Sequence, residues 1–224
     1  MGIVRKSATS VSNIIGLVKL EQCSRKSPFY RTYMSYGTHK SYNKKMERVN
    51  RNYGGYRKLI SYQNATIVYD LTIFFCRKYI DFRSRTKDQM EQAARSGKQN
   101  IAEASLISAT SKKSELKLLG VARASLEELL ADYEDFLRQK DFVLWKKDSL
   151  EAKEARAFAY KPNRSYKIYM SYIEKSETAA NALICLINQT NFLLDRQISA
   201  AEKKFVEEGG YTEKLFQRRK IRRI

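Results

Sequence analysis

At 224 residues the chain is long enough for one substantial core, and its two prolines and nine glycines argue against a loop-rich or all-β architecture. The net charge of +19 is unevenly spread: residues 1–52 carry 11 Lys/Arg against 2 acids (net +9), residues 53–160 net +4 and residues 161–224 net +6, so the central region is only mildly basic. A single histidine, His39, lies in the basic leader, which excludes a His-dependent triad or a His-bearing zinc site in the folded core.

Residues 1–52, rich in Ser, Tyr, Asn, Lys and Arg, have weak periodicity and read as a basic, disordered N-terminal arm or one that folds on an anionic partner. Val11 to Leu20 is broken by Ser12, Asn13, Gly16 and Lys19, a poor signal core. No apolar run approaches the ~20 residues that span a bilayer, so a soluble, cytoplasmic protein without membrane contact is expected. Gly54-Gly55 marks the start of regular structure.

Helical periodicity then predicts a first helix over about Tyr56–Tyr79, with Leu59, Tyr62 or Gln63, Thr66 or Ile67, Asp70 or Leu71, and Phe74 on its apolar face. A second helix spans about Thr86–Leu106, with Met90, Ala93 or Ala94, Gly97, Ile101 and Ala104 in one stripe. After a turn at Ser108–Ser111, with Thr110 or Ser111 as N-cap, a third helix covers about Lys112–Gln139. Its inward set is Leu116, Leu119, Ala122, Leu126, Leu129, Tyr133 and Phe136.

Gly97 and Gly120 each cost a helix about 1 kcal/mol relative to Ala, and they lie 13 residues before and 10 after Thr110. In a hairpin this sets them at nearly one height, with Asn100 level with Gly120. The expectation is a close helix–helix contact around one buried amide, which Gly120→Leu would overpack. Arg95, Asn100 and Glu103 are read as members of a buried or inter-subunit hydrogen-bond network that sets register, not as an active site.

A connector at 141–163, with a short helix at 148–159, leads past Pro162-Asn163 to a long fourth helix over about Ser165–Glu207. Ile173, Ala180, Leu183 or Ile184, Ile187, Leu194, Ile198, Ala201 and Phe205 mark its inner face. Gly209-Gly210 stops it, and a basic tail follows. Cys76 and Cys185 sit in apolar surroundings, Cys23 in the leader, and the three lack metal-ligand spacing. Together these features predict an all-α chain: a leader at 1–52, an antiparallel four-helix bundle at 53–208 with a long C-terminal helix, and a tail at 209–224.

Two cationic sets are candidate phosphate contacts. Lys112, Lys113 and Lys117 open the third helix, where cations oppose the helix macrodipole and are not explained by helix stability; with Arg95, Lys98 and Arg123 they form a patch, or else a solvated face neutralised by Glu115, Glu127 and Glu128. Arg218, Arg219, Lys220, Arg222 and Arg223 place five cations in six residues of the tail.

The strings Gln92-Ala93-Ala94-Arg95-Ser96, Asn100-Ile101-Ala102-Glu103 and Ala122 to Leu129 resemble a bacterial four-helix-bundle family. It comprises the intervening-sequence proteins of 23S ribosomal RNA genes and the accessory protein of diversity-generating retroelements. Gly54-Gly55-Tyr56-Arg57, Ser61-Tyr62-Gln63, Ser84 to Met90 and Asn181 to Ile198 look closer to its four-helix-bundle suffix subgroup. Ala104 departs from the glycine usual after Asn-Ile-Ala-Glu. The resemblance covers roughly residues 53–220 and implies an antiparallel four-helix bundle and a homo-oligomer, a pentameric ring in relatives; no cofactor or metal is expected, since ligand residues are lacking. The resemblance implies function only loosely; the basic extensions carry the expectation of a non-enzymatic adaptor that binds RNA or DNA, and the other reading is a scaffold for a protein partner alone.

Overall fold

The computed structural model describes residues 55–161 and 165–221. The expected N-terminal arm, Gly54, the Pro162-Asn163 break, Cys23, His39, Arg222 and Arg223 lie outside the described residues. Among the described residues the chain is all-helical and without strands. These residues form six α-helices: α1 Ile60–Tyr79, α2 Arg85–Ile107, α3 Lys112–Gln139, α4 Leu150–Phe158, α5 Ser176–Glu208 and α6 Tyr211–Ile221. No described helix is long and apolar enough to cross a membrane.

Local sequence accounts for the boundaries. Ser84, Ser111 and Ser149 take extended backbone and accept a hydrogen bond from the first turns of α2, α3 and α4, satisfying amides that lack an intrahelical partner. Ser111, one of the two residues expected at that position, is the cap of α3. Gly209 ends α5 at φ +68°, a conformation that disfavours any side chain. The fourth long helix begins at Ser176 instead of near Ser165, because Tyr166–Tyr169 and Tyr172–Glu174 form short 3-10 turns. Tyr79 Oη donates to Ile173 O at 2.6 Å and Lys78 Nζ to the same carbonyl at 3.1 Å, so carbonyls of these turns are held by the end of α1.

The four long helices α1, α2, α3 and α5 share one core, with α1 and α3 each packing on both α2 and α5. Ser61, near the start of α1, donates to Gln197 late in α5. Ser96 and Ser125 face each other across α2 and α3 at 3.0 Å. Arg123 and Glu127 of α3 meet Asp195 and Asn191 of α5. Phe75 of α1, fully buried, lies edge-on to Tyr133 (5.0 Å) and Phe136 (4.9 Å) of α3, and Tyr133 Oη donates to Thr72 Oγ1 at 3.0 Å.

The α2 stripe expected from the sequence is buried throughout, as is that of α3 apart from half-buried Leu116. On α1 the deepest residues are Ala65, Val68, Leu71, Thr72, Phe75 and Cys76, whereas Tyr62, Thr66, Asp70 and Phe74 are half-buried. A helix apolar over more than half its circumference leaves its rotation undetermined until its neighbours are in place.

The glycine seam differs from expectation. Gly97 is buried, and a Cβ there would lie 2.8 Å from Leu126 Cδ2 and Cγ, so the close approach is to Leu126. Gly120 is exposed, and a Cβ there would meet nothing within 4 Å. It follows Leu119 by one position, about 100° around the helix from the inward set, so Gly120→Leu does not overpack the contact. Asn100 is half-buried, and its amide donates to Ser96 O (2.9 Å) and Ser96 Oγ (3.1 Å) within its own helix, reaching α3 only through the Ser96–Ser125 pair. Arg95 and Glu103 are exposed and, among the described residues, take no part in a buried network.

Burial pushes the Cys76 thiol up to about 12, with the negative charge of Glu91 adding to the effect. Its unfolded counterpart titrates near 9.0, so above that pH the unfolded chain holds fewer protons than the folded one. Stability contributed by the neutral thiol is complete below pH 9 and is lost as pH rises toward 12. Urea unfolding at pH 8 and pH 10 should show a smaller decline in Cys76→Val than in the unsubstituted chain; equal declines would mean that the thiol is not the titrating group.

Candidate functional site

The expected cationic patch at the start of α3 is partly neutralised. Lys112 Nζ lies 2.7 Å from Glu115 Oε2. Arg123 spans Asp195 (2.6 Å) and Glu127 (3.1 Å), and this pairing raises its pKa. Lys98 sits 4.2 Å from the centre of the Tyr69 ring on α1, a cation–π contact that draws it into the α1–α2 boundary. Lys113, Lys117 and Arg95 remain exposed. The six residues therefore do not present one continuous cationic face.

The C-terminal set behaves differently. The stretch read as a tail forms α6, none of whose residues is buried. Arg218, Arg219 and Lys220 fall in its last turn, all exposed, where cations complement the partial negative charge of the helix end. Among the described residues they enter no ion pair, whereas Lys214 at the other end of α6 pairs with Glu208 at 2.8 Å. Phe216 and Ile221 are exposed on the same helix. Its cations are thus carried by an element that is not committed to the core.

A second feature was missed from the sequence. The connector between α3 and α4 is tied to α5 by Asn181, which is 1 % exposed. Its Nδ2 donates to Val143 O (2.9 Å) and Glu177 O (3.0 Å), and its Oδ1 accepts from Trp145 N at 2.8 Å. Ala152 and Ala155 of α4 pack on Ala182 and Cys185 of α5, flanked by Trp145 and Tyr172. Beyond α4 a cavity of about 750 Å³ opens over α5, reaching Ile60 and Asn64 of α1 and Glu134 of α3. The signal available in the sequence was the spacing Cys185, Asn188, Gln189, Phe192, Arg196, a second face of α5 with its own mix of apolar and polar residues.

Asp132 on α3 is half-buried. Its carboxyl is raised chiefly by burial, with Glu128 and Asp135 adding like charge, but Oδ2 is buried without a hydrogen-bond partner and Tyr133 beside it is committed to Thr72. Among the described residues no group of three or more His, Cys, Asp or Glu side chains is placed to hold a metal ion. Compared with protein-family models, curated proteins and solved structures, the chain finds no match.

Proposed function

We propose that the chain is a non-enzymatic, oligomeric adaptor built on an antiparallel four-helix bundle, and that it binds nucleic acid through its basic extensions. The reading is carried by the open cations gathered in the last turn of α6; on the long helices Arg95, Lys113 and Lys117 are also exposed, while other cations are paired. Lys87, Lys112 and Arg123 on the long helices face carboxylates, and such pairs must open before they can meet a phosphate. Arg218, Arg219 and Lys220 stand on exposed α6 with no ion pair among the described residues, so phosphate contact there releases counterions without breaking anything. The bundle reading is supported by the order of contacts: Ser61 meets Gln197 while Tyr79 meets Ile173, and Arg123 meets Asp195 while Glu127 meets Asn191, so partners descend along one helix as they ascend along the other. Oligomerisation and bacterial origin follow from the resemblance of the Asn100 to Glu103 and Ala122 to Leu129 strings.

The test is a fluorescence-anisotropy titration of nuclease-treated, full-length protein against single-stranded RNA, single-stranded DNA and duplex DNA over a range of salt. Arg218, Arg219 and Lys220 changed together to Ala should weaken single-strand binding and flatten the slope of log K against log salt by about 2, at roughly 0.7 for each phosphate no longer neutralised. The three side chains are exposed, so the thermal melt should not move. Unchanged affinity in the variant would remove α6 from the interface. Absence of salt-dependent binding by the full chain would leave the scaffold reading, in which the partner is a protein. Sedimentation equilibrium of the same sample measures the number of subunits.

A further inference from the structure

The cavity over α5 has the makings of a ligand site. One wall is the connector, held in place by Asn181 through Val143 O and Trp145 N. A second part of the lining is the end of α4, held by the Gln189 Nε2 bond to Arg156 O at 3.1 Å. Its volume of about 750 Å³ falls in the range of sites for small molecules, which are mostly apolar with a few convergent polar groups. Leu144, Ile184, Phe192 and Leu193 supply apolar surface. Phe192 is 61 % exposed, and Leu144 and Ile60 are 49 % exposed each, so an apolar occupant would remove substantial hydrocarbon from water.

The polar groups are of two kinds. Gln189 Oε1 is buried without a hydrogen-bond partner. Because its Nε2 is already committed to Arg156 O, turning the amide over would sacrifice that bond, so the free oxygen calls for an N–H or O–H from outside. Cations predominate around the opening: Arg156, Arg196 and Lys147, against one acid, Glu134. Arg156 gives one N–H to Lys147 O at 2.6 Å, leaving further donors of its five-donor fork, and Arg196 lies 5.9 Å from the centre of the Phe192 ring.

We propose that this cavity binds a small amphiphilic anion, with an acyl or aryl body on Ile184, Phe192 and Leu193, a donor on Gln189 Oε1, and a carboxylate on Arg156 and Arg196. The proposal does not depend on nucleic-acid binding by α6.

Trp145 is the only tryptophan in the chain and lines the cavity, so its fluorescence reports occupancy in the full-length protein. The probes are N-decanoylglycine, decanoate, the methyl ester of N-decanoylglycine and decyltrimethylammonium, all below their micelle concentrations. N-decanoylglycine should give a saturable change with one molecule per chain. The ester should bind at least tenfold more weakly, and the cation should give no saturable change. Phe192→Asp and Arg196→Glu, both at exposed positions, should each weaken binding at least tenfold without moving the thermal melt. Gln189→Leu should abolish the preference for N-decanoylglycine over decanoate. The proposal is overturned by equal binding of acid, ester and cation, by wild-type affinity in both exposed variants, by no saturable signal, or by a signal that tracks self-association of the protein.

Discussion

Phe75→Ala is expected to lower the free energy of unfolding by about 3–5 kcal/mol. Phe75 is fully buried on α1 and has three ring neighbours: Tyr79 at 5.3 Å, Tyr133 at 5.0 Å and Phe136 at 4.9 Å. Truncation removes the transfer energy of the ring and leaves a void that fully buried Tyr133 cannot fill, because its hydroxyl is bonded to Thr72 on α1. The edge-on contacts add about 0.5–1.5 kcal/mol each beyond area alone. Phe75→Leu, which keeps most of the volume, should cost markedly less. Urea midpoints with unchanged m-values measure both, and a loss below about 1 kcal/mol for Phe75→Ala would show that α1 and α3 do not meet through this residue.

The second large effect contrasts two glycines. Gly97→Leu should destabilise by about 1–3 kcal/mol through overpacking, since even a Cβ would lie 2.8 Å from Leu126 Cδ2, and Leu126 is itself fully buried. Gly120→Leu should instead stabilise by about 0.5–1 kcal/mol: the position is open, and leucine is the better helix former. Gly97→Ala falls between, because the gain in helix propensity is offset by displacement of Leu126. Thermal and urea melts of the three variants decide the matter. The same loss in both leucine variants would contradict the packing of α2 on α3.

Gly120 also shows how far the sequence could be read. Its height along the hairpin was legible, because that needs only the turn position and the rise per residue. Its direction was not: one position, about 100° of rotation, separates a residue in the seam from one in water. Phe74 illustrates the same limit on α1: the spacing sets it on the apolar face, but the structure buries Phe75 and leaves Phe74 half-buried. The candidate sites divide likewise. The cations of Arg218, Arg219 and Lys220 were plain in the sequence, whereas the partners that neutralise Lys112 and Arg123 were only partly so. Glu115 and Glu127 lie one turn away on the same helix, but Asp195 arrives from α5, 72 residues on.

The amino-acid sequence by itself determined the all-helical class, most helix boundaries and the inward stripes of α2, α3 and α5. These depend on local chemistry: serine oxygens that cap amides, a glycine that takes positive φ, and apolar residues recurring at three- and four-residue steps. Tertiary structure alone decided that Gly97 meets Leu126, that Asn181 straps the connector to α5, and that α4 covers only part of that helix and leaves a cavity beside it. Those features arise from side chains far apart in sequence, and their placement depends on helix rotation and crossing, which the pattern within any one helix does not contain.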